Sequence, residues 1–182
     1  MTTAEHPPTI AVDAMGSDLG PAEVLQGVAD VIRKPEDQEL SSCHFCVIGR
    51  GPDLEEGLVA AGLRDHPRLT VVHAGEVIGM DEKPLQSIKK KRDSSMVQAL
   101  ARGREGTADD LLSGGNTGSL MAGGTLMVRP VAGVDRPALA TIIPTRSSRV
   151  ILLDAGANPE PTALQMAQNA ILGSNYARVV LG

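Results

Sequence analysis

Short apolar runs alternate along this chain with stretches whose apolar residues recur every three or four positions. The runs Thr9–Ala14, Phe45–Ile48, Leu69–His73, Leu111–Ser113, Ala138–Ile143 and Val150–Asp154 are mostly Val, Ile and Leu, without clean polar alternation. That is the pattern of strands covered on both faces. Between them, Pro21–Arg33 opens on a first-turn proline and repeats apolar residues at Val24, Val28 and Val31/Ile32, which predicts a helix. Asp53–Leu63 predicts a shorter one. Ser94–Arg104 follows Asp93, a favourable N-cap. Thr117–Val128 carries Gly123 and Gly124, so this helix is weakened or packed closely on a neighbour. Pro161 to Leu181 is the longest helical pattern, and its last apolar residues, Val179, Val180 and Leu181, read as an element that should continue. Strand followed by helix, repeated, argues for a mostly parallel sheet with helices on both faces. The longest irregular stretch is Ala74–Lys83, and such loops often carry function. Residues 1–8 are expected to be a disordered tail and residues 9–182 one α/β domain, with no internal repeat or low-complexity linker.

Composition sharpens this picture. Hydrophobic residues make up 42% of the chain, enough for a real core, yet Phe45 and Tyr176 are its only aromatic residues. Small aliphatic side chains must therefore do the packing, which favours close helix–sheet contact. A net charge of −5 gives no sign of a nucleic-acid binder. No apolar run reaches the roughly 18 residues of a membrane span, and the N-terminus MTTAEHPP lacks the blocks of a signal peptide. A cytoplasmic location is the default. Cys43 and Cys46 form a C-x-x-C. Odd spacing on a strand sends the two thiols to opposite faces, and no second pair exists to complete a zinc site, so a redox or metal role is disfavoured.

In open parallel sheets, ligands bind beyond the carboxyl ends of the strands. Three such exits are polar and glycine-rich. The first holds Asp13, Met15, Gly16, Ser17, Asp18 and Gly20, the fourth Gly114-Gly115-Asn116-Thr117-Gly118, and the sixth Asp154, Gly156, Ala157 and Asn158. Backbone N–H groups at a helix start suit an anion, although any one glycine turn is as often merely structural. None of the three is a P-loop or a clear G-x-G-x-x-G, so ATP and NAD are not indicated. The run Lys89-Lys90-Lys91-Arg92 abuts the helix start at Asp93-Ser94-Ser95-Met96. A charge run is usually a solvated face. Here cation, hydroxyls and amides together make an anion clamp for one or two of the four. His6, His44, His66 and His73 form no nucleophilic triad, and only His73 has a pocket position. No enzyme nucleophile is needed if a bound phosphate attacks an acyl carbon directly, with the protein supplying position and charge stabilisation.

The blocks IAVDAMGSD, EVIGMDEKP, KKKRDSSM, SGGNTGSLMAGG, RPALATIIPT, LLDAGAN and YARVVLG, in this order, resemble the phosphate acyltransferases of bacterial phospholipid synthesis. The likeness runs from about Thr9 to Gly182. It implies a three-layer α/β/α fold, isocitrate/isopropylmalate dehydrogenase-like. The implied reaction is acyl-acyl-carrier-protein plus inorganic phosphate giving acyl phosphate. The resemblance also implies no metal or organic cofactor, a homodimer, and peripheral membrane association beside a glycerol-3-phosphate acyltransferase. Residue by residue, it assigns phosphate to Lys91, Arg92, Ser94 and Ser95, and the thioester carbonyl to Asn116 and Thr117 between Gly115 and Gly118. Asp13, Gly16, Asp154 and Asn158 would shape the pocket. The family pattern Gly-Gly-Asp-His is Gly16-Ser17-Asp18-Leu19 here, without its histidine. Relatives of this kind continue well past Tyr176, so the reading also expects a chain incomplete at its C-terminus. Two other readings stay open: a non-catalytic phosphate- or partner-binding remnant, and a dehydrogenase-like lobe for a small carboxylate. The second lacks clustered metal-binding aspartates and a nicotinamide fingerprint.

Overall fold

The computed structural model describes residues 7–34, 40–155 and 160–182, in two compact units divided between Val128 and Arg129. The first unit is built on a four-stranded parallel sheet of β1 (Thr9–Asp13), β2 (His44–Gly49), β3 (Leu69–His73) and β4 (Asp110–Ser113), in the order β3-β2-β1-β4. Residues 1–6 of the expected tail lie outside the described residues. Pro8 already joins the fold, its carbonyl accepting the His44 N–H at 2.8 Å.

Alternation along the strands sorts side chains between two cores. Val12, Phe45 and Val47 face α1 (Pro21–Arg33) and α2 (Gly51–Ala60), where Leu25, Val28, Leu54 and Leu58 are buried. Ala11, Cys46 and Ile48 face the other way and meet Ala99 of α4 (Ser95–Glu105). The result is helix, sheet, helix in three layers. Cys43 and Cys46 are buried in different cores, as the odd spacing predicts. The topology explains the faces. From β1 to β3 the chain steps one way across the sheet with α1 and α2 on one side. It then returns past β1 to β4, and a right-handed crossover in the reversed direction puts α4 on the opposite side.

Several elements differ from expectation for local reasons. α2 starts two residues early because Pro52 is favourable in its first turn, and it ends at Ala60 before Gly62 turns left-handed at φ 65°. A further helix, α3 (Pro84–Lys90), fills part of the stretch left unassigned before Ser94, again with Pro at its start. Lys89 and Lys90 are therefore the last turn of one helix rather than the beginning of the next. Ser94, not Asp93, caps α4, its Oγ accepting the Val97 N–H at 3.4 Å. The helix expected over 117–128 is α5 (Thr117–Gly123) followed by a π-helical turn, Gly124–Val128. Here two glycines weaken the ladder and the Thr125 hydroxyl donates to the Met121 carbonyl at 2.8 Å.

In the second unit, β5 (Ala140–Pro144) and β6 (Arg149–Leu153) form a separate antiparallel hairpin rather than further parallel strands. Only Thr145–Ser148 separates them, too few residues for a parallel crossover. The loop closes with Thr145 N–H to the Ser148 carbonyl at 2.9 Å. α6 (Ala163–Val180) opens with a capping box between Thr162 and Gln165. Among its described residues this unit buries none fully.

Leu25 and Gly57 give a packing test where α1 meets α2. Leu25 is wholly buried, and a Cβ on Gly57 would lie 2.5 Å from Leu25 Cδ1. Leu25→Ala should lower unfolding free energy by about 2–5 kcal/mol, and Gly57→Ala alone by about 1–3 kcal/mol. Urea denaturation of the double variant should show a cost smaller than the two single costs added, because the new methyl enters the vacated space.

Candidate functional site

The reversal of strand order falls between β1 and β4, and ligand sites in open α/β sheets form at such a reversal, beyond the carboxyl ends. β1 and β4 are in register down to the pair Asp13 and Ser113. Asp13 is buried, its Oδ2 accepting the Ser113 Oγ–H at 2.7 Å and its Oδ1 the Met15 N–H at 3.2 Å. Just past this pair the two exits touch. A Cβ on Gly16 would lie 2.6 Å from Gly115 Cα, and a Cβ on Gly115 would lie 3.1 Å from both Gly16 Cα and Met96 Cε. Glycine is required here by backbone-to-backbone approach rather than by an unusual φ. The first strand exit, the fourth, and the start of α4 thus meet.

The residues expected to grip phosphate divide into two groups. Those facing inward are committed to the fold. Ser94 is fully buried, and its hydroxyl donates to the Lys91 carbonyl at 2.8 Å while capping α4. The Lys91 ammonium donates to the Val77 carbonyl at 2.6 Å and pairs with Glu82. The Asn116 carboxamide is buried and occupied at both ends: Oδ1 accepts the Ser119 N–H at 2.9 Å, and Nδ2 faces the carbonyls of Gly79, Met80 and Glu82 at 3.2, 2.8 and 3.1 Å. With two N–H bonds shared among three acceptors, it has no donor left for a thioester carbonyl. Arg92 and Thr117 are exposed, and no ion pair or side-chain hydrogen bond engages Arg92 among the described residues. Ser95 is buried in the first turn of α4, and Gly118 rests on Pro84 of α3.

Glu82, within the irregular stretch 74–83 and the block EVIGMDEKP but given no role there, joins these parts. Its Oε1 receives the Gly79 N–H at 2.7 Å as well as the Lys91 ammonium. Hydrogen bonding from Gly79, and then from Lys91, holds its carboxyl below the ordinary 4.5, against the opposing effect of partial desolvation. Ser113 was also overlooked, although it ends its strand in step with Asp13. Ser119 and Ser87 pair through their hydroxyls at 3.0 Å beneath α5 and α3.

His73 is tied to a backbone amide. It is exposed, and its Nδ1 accepts the Gly51 N–H at 3.1 Å, serving the start of α2. Asp154 belongs to the second unit, with a positive φ of 55°, its N–H donating to the Leu139 carbonyl at 2.7 Å, and a buried Oδ1 that has no hydrogen-bond partner among the described residues. Asn158, Gly156 and Ala157 lie outside the described residues.

Two outcomes follow. Gly16→Ala forces the β1 and β4 exits apart and should cost about 1–3 kcal/mol in urea denaturation, the range for overpacking; a neutral result would mean that the exits do not touch in solution. For Glu82 the folded value is depressed. Its contribution is therefore complete above 4.5 and lost as pH falls through the lower folded value. The stability difference between the wild-type chain and Glu82→Gln should shrink below that pH, and a difference that stays constant there would contradict the assignment.

The family described as "Fatty acid synthesis protein" matches residues 8–182. A phosphate acyltransferase of Desulforamulus reducens is 41% identical over 176 residues, covering 95% of this chain and 50% of the relative. One of Bacillus licheniformis is 42% identical over 174 residues, with 95% and 50% covered, and one of Pseudomonas syringae pv. syringae 41% identical over 174 residues, with 95% and 49% covered. The chain spans about half the length of the curated relatives it matches. Matched from Pro8 to its last residue, the chain belongs to the fatty acid synthesis protein family.

Proposed function

We propose that this chain carries the phosphate-handling part of a phosphate acyltransferase, in which inorganic phosphate accepts an acyl group from acyl-acyl-carrier-protein for phospholipid synthesis. A phosphate oxygen attacks the thioester carbonyl carbon, a C–O bond forms, the C–S bond breaks, and the carrier thiolate leaves and takes up a proton. The observation that carries this reading is the convergence of Gly16, Gly115 and the α4 start at the β1/β4 reversal, where helix-start amides suit an anion. The relatives' name, phosphate acyltransferase, points the same way.

Within that reading the roles fall by availability. Arg92 and Thr117 are exposed and take phosphate or the carbonyl directly, and the buried Ser95 and Gly115, with Gly118, line the site behind them in this reading. Lys91, Ser94 and Asn116 act by holding these groups in place. Asp13 and Gly16 shape the floor, and Asp154 and Asn158 are carried by family likeness alone. The reaction needs no metal or organic cofactor in this reading, since phosphate is itself the nucleophile. The same reading brings a homodimer working in the cytoplasm, peripherally at the membrane, beside the glycerol-3-phosphate acyltransferase that would use the product. No helix among the described residues is long and apolar enough to cross a membrane. The exposed apolar side chains Ile143, Val150 and Leu152, which share one face of the hairpin, support a covered face on the second unit.

A second reading, a non-catalytic phosphate- or partner-binding remnant, uses the same convergence of strand exits without the transfer step. Hydroxylamine trapping separates the two. The chain incubated with acyl-acyl-carrier-protein and phosphate should yield hydroxamate, and none above background beside an active full-length relative would favour the remnant. In the active protein, Arg92→Ala should raise the phosphate KM by about 10- to 150-fold, the equivalent of ~1.5–3 kcal/mol for a charge-assisted hydrogen bond. Unchanged phosphate dependence would remove Arg92 from the site.

A further inference from the structure

Residues 77–82 form a strap held at three points, and Glu82 holds two of them. Its Oε1 closes a turn by accepting the Gly79 N–H at 2.7 Å, while the Glu82 N–H donates back to the Gly79 carbonyl at 3.3 Å. The same oxygen draws in the Lys91 ammonium, which also takes the Val77 carbonyl at 2.6 Å. This turn presents the carbonyls of Gly79, Met80 and Glu82 to a single carboxamide, Asn116. Asn116 in turn caps α5 through Ser119 N–H. An amide flipped or loosened at Asn116 would present a donor to Ser119 instead of an acceptor, so the three carbonyls also decide which way the carboxamide faces.

We propose that Glu82 is a positioning residue for the candidate site: by fixing the turn that orients Asn116, it sets the cap of α5 and hence the place of Thr117 and Gly118. The inference deepens the phosphate reading above and rests on it for its functional meaning. Glu82 itself touches neither α5 nor Ser119 through any hydrogen bond of its side chain among the described residues. Its influence on Ser119 therefore passes through Asn116, or through α3, whose Ser87 and Pro84 meet Ser119 and Gly118.

That indirectness supplies the test. Amide hydrogen exchange on the full chain is compared for the wild-type sequence, Glu82→Gln and Glu82→Ala. Glutamine keeps an acceptor for Gly79 and removes the charge that holds Lys91, whereas alanine removes both. Ser119 exchange should rise by about fivefold in Glu82→Ala, the size of a weakened helix cap, and by less in Glu82→Gln. The amides of Val12 and Val47, deep in the sheet, should be unchanged and report that both variants fold. Faster exchange at Gly79 with no change at Ser119 would overturn the proposal, because the effect would then stop at the strap. Inorganic phosphate is next added to the same samples. Slowed exchange at Thr117 and Gly118 in the wild-type chain, reduced in Glu82→Ala, supports the positioning role. No phosphate effect in the wild-type chain would sink the reading of the site, while the Ser119 comparison still decides whether Glu82 governs the cap.

Discussion

Everything in the first unit turns on the contact between the carboxyl ends of β1 and β4. A buried carboxylate is costly unless hydrogen-bonded, and Asp13 meets that demand with Ser113 Oγ–H and Met15 N–H. Those two bonds tie the neighbouring strand end and the onset of the first exit loop to one side chain. They also pin the register at the point where Gly16 and Gly115 must approach within backbone contact. Without that closeness the two loops would flank the sheet edge separately, and α4 would lose the Gly115 surface against which Met96 rests. The site is thus a consequence of sheet order: the reversed crossover creates the crevice, and two glycines let its walls meet.

The distribution of charge follows from the same crowding. Four cations in a row cannot share one environment. Lys89 and Lys90 end α3, where the negative end of the helix dipole favours them. Lys91 turns inward and is balanced by Glu82 and a backbone carbonyl. Arg92 is left exposed. Of the four, the guanidinium also has the geometry best suited to bidentate recognition of a phosphate. An ammonium has three N–H donors, and Lys91 spends two of them on Glu82 and the Val77 carbonyl, leaving one for an anion. Most of its capacity is thus spent on fixing structure.

The legible parts of this molecule were those governed by local rules. β1, β3 and α1 follow directly from apolar runs and from a first-turn proline, and the opposed thiols of Cys43 and Cys46 follow from strand alternation. What the pattern could not carry was long-range pairing. The linear order of Ser94, Asn116 and Lys91 beside glycines suggests an anion clamp, but side chains of this kind serve equally well as caps and latches. For Lys91 and Asn116 the role depends on carbonyls 14 to 37 residues away, whereas Ser94 is settled by Lys91 and Val97 close by. Glu82 lies in a loop and block that the sequence marks, but nothing about its neighbours announces Lys91 or Asn116. The hairpin β5–β6 is a different case: its short connection was readable, and the apolar strand pattern outweighed it in the expectation of a parallel sheet.

The second unit obeys a different balance. The first encloses side chains such as Leu25, Ile48 and Leu54 between layers, so its elements are held by burial within the unit. From Arg129 onward no described residue is fully buried, while Ile142, Ile143, Val150, Leu152, Leu164, Ile171 and Val179 remain exposed. A hairpin and one helix of this size cannot offset their conformational entropy by so little burial, and two-stranded sheets are marginal alone. The capping box at Thr162 and the packing of Leu153 on Gly173 give local order to α6 and β6. Local order of that kind contributes on the order of 1 kcal/mol per feature. The exposed apolar residues of this unit therefore contribute little burial to it. The two units are accordingly unequal: the first is held together by its own core, and the second by local hydrogen bonds and partial burial of its hairpin and helix.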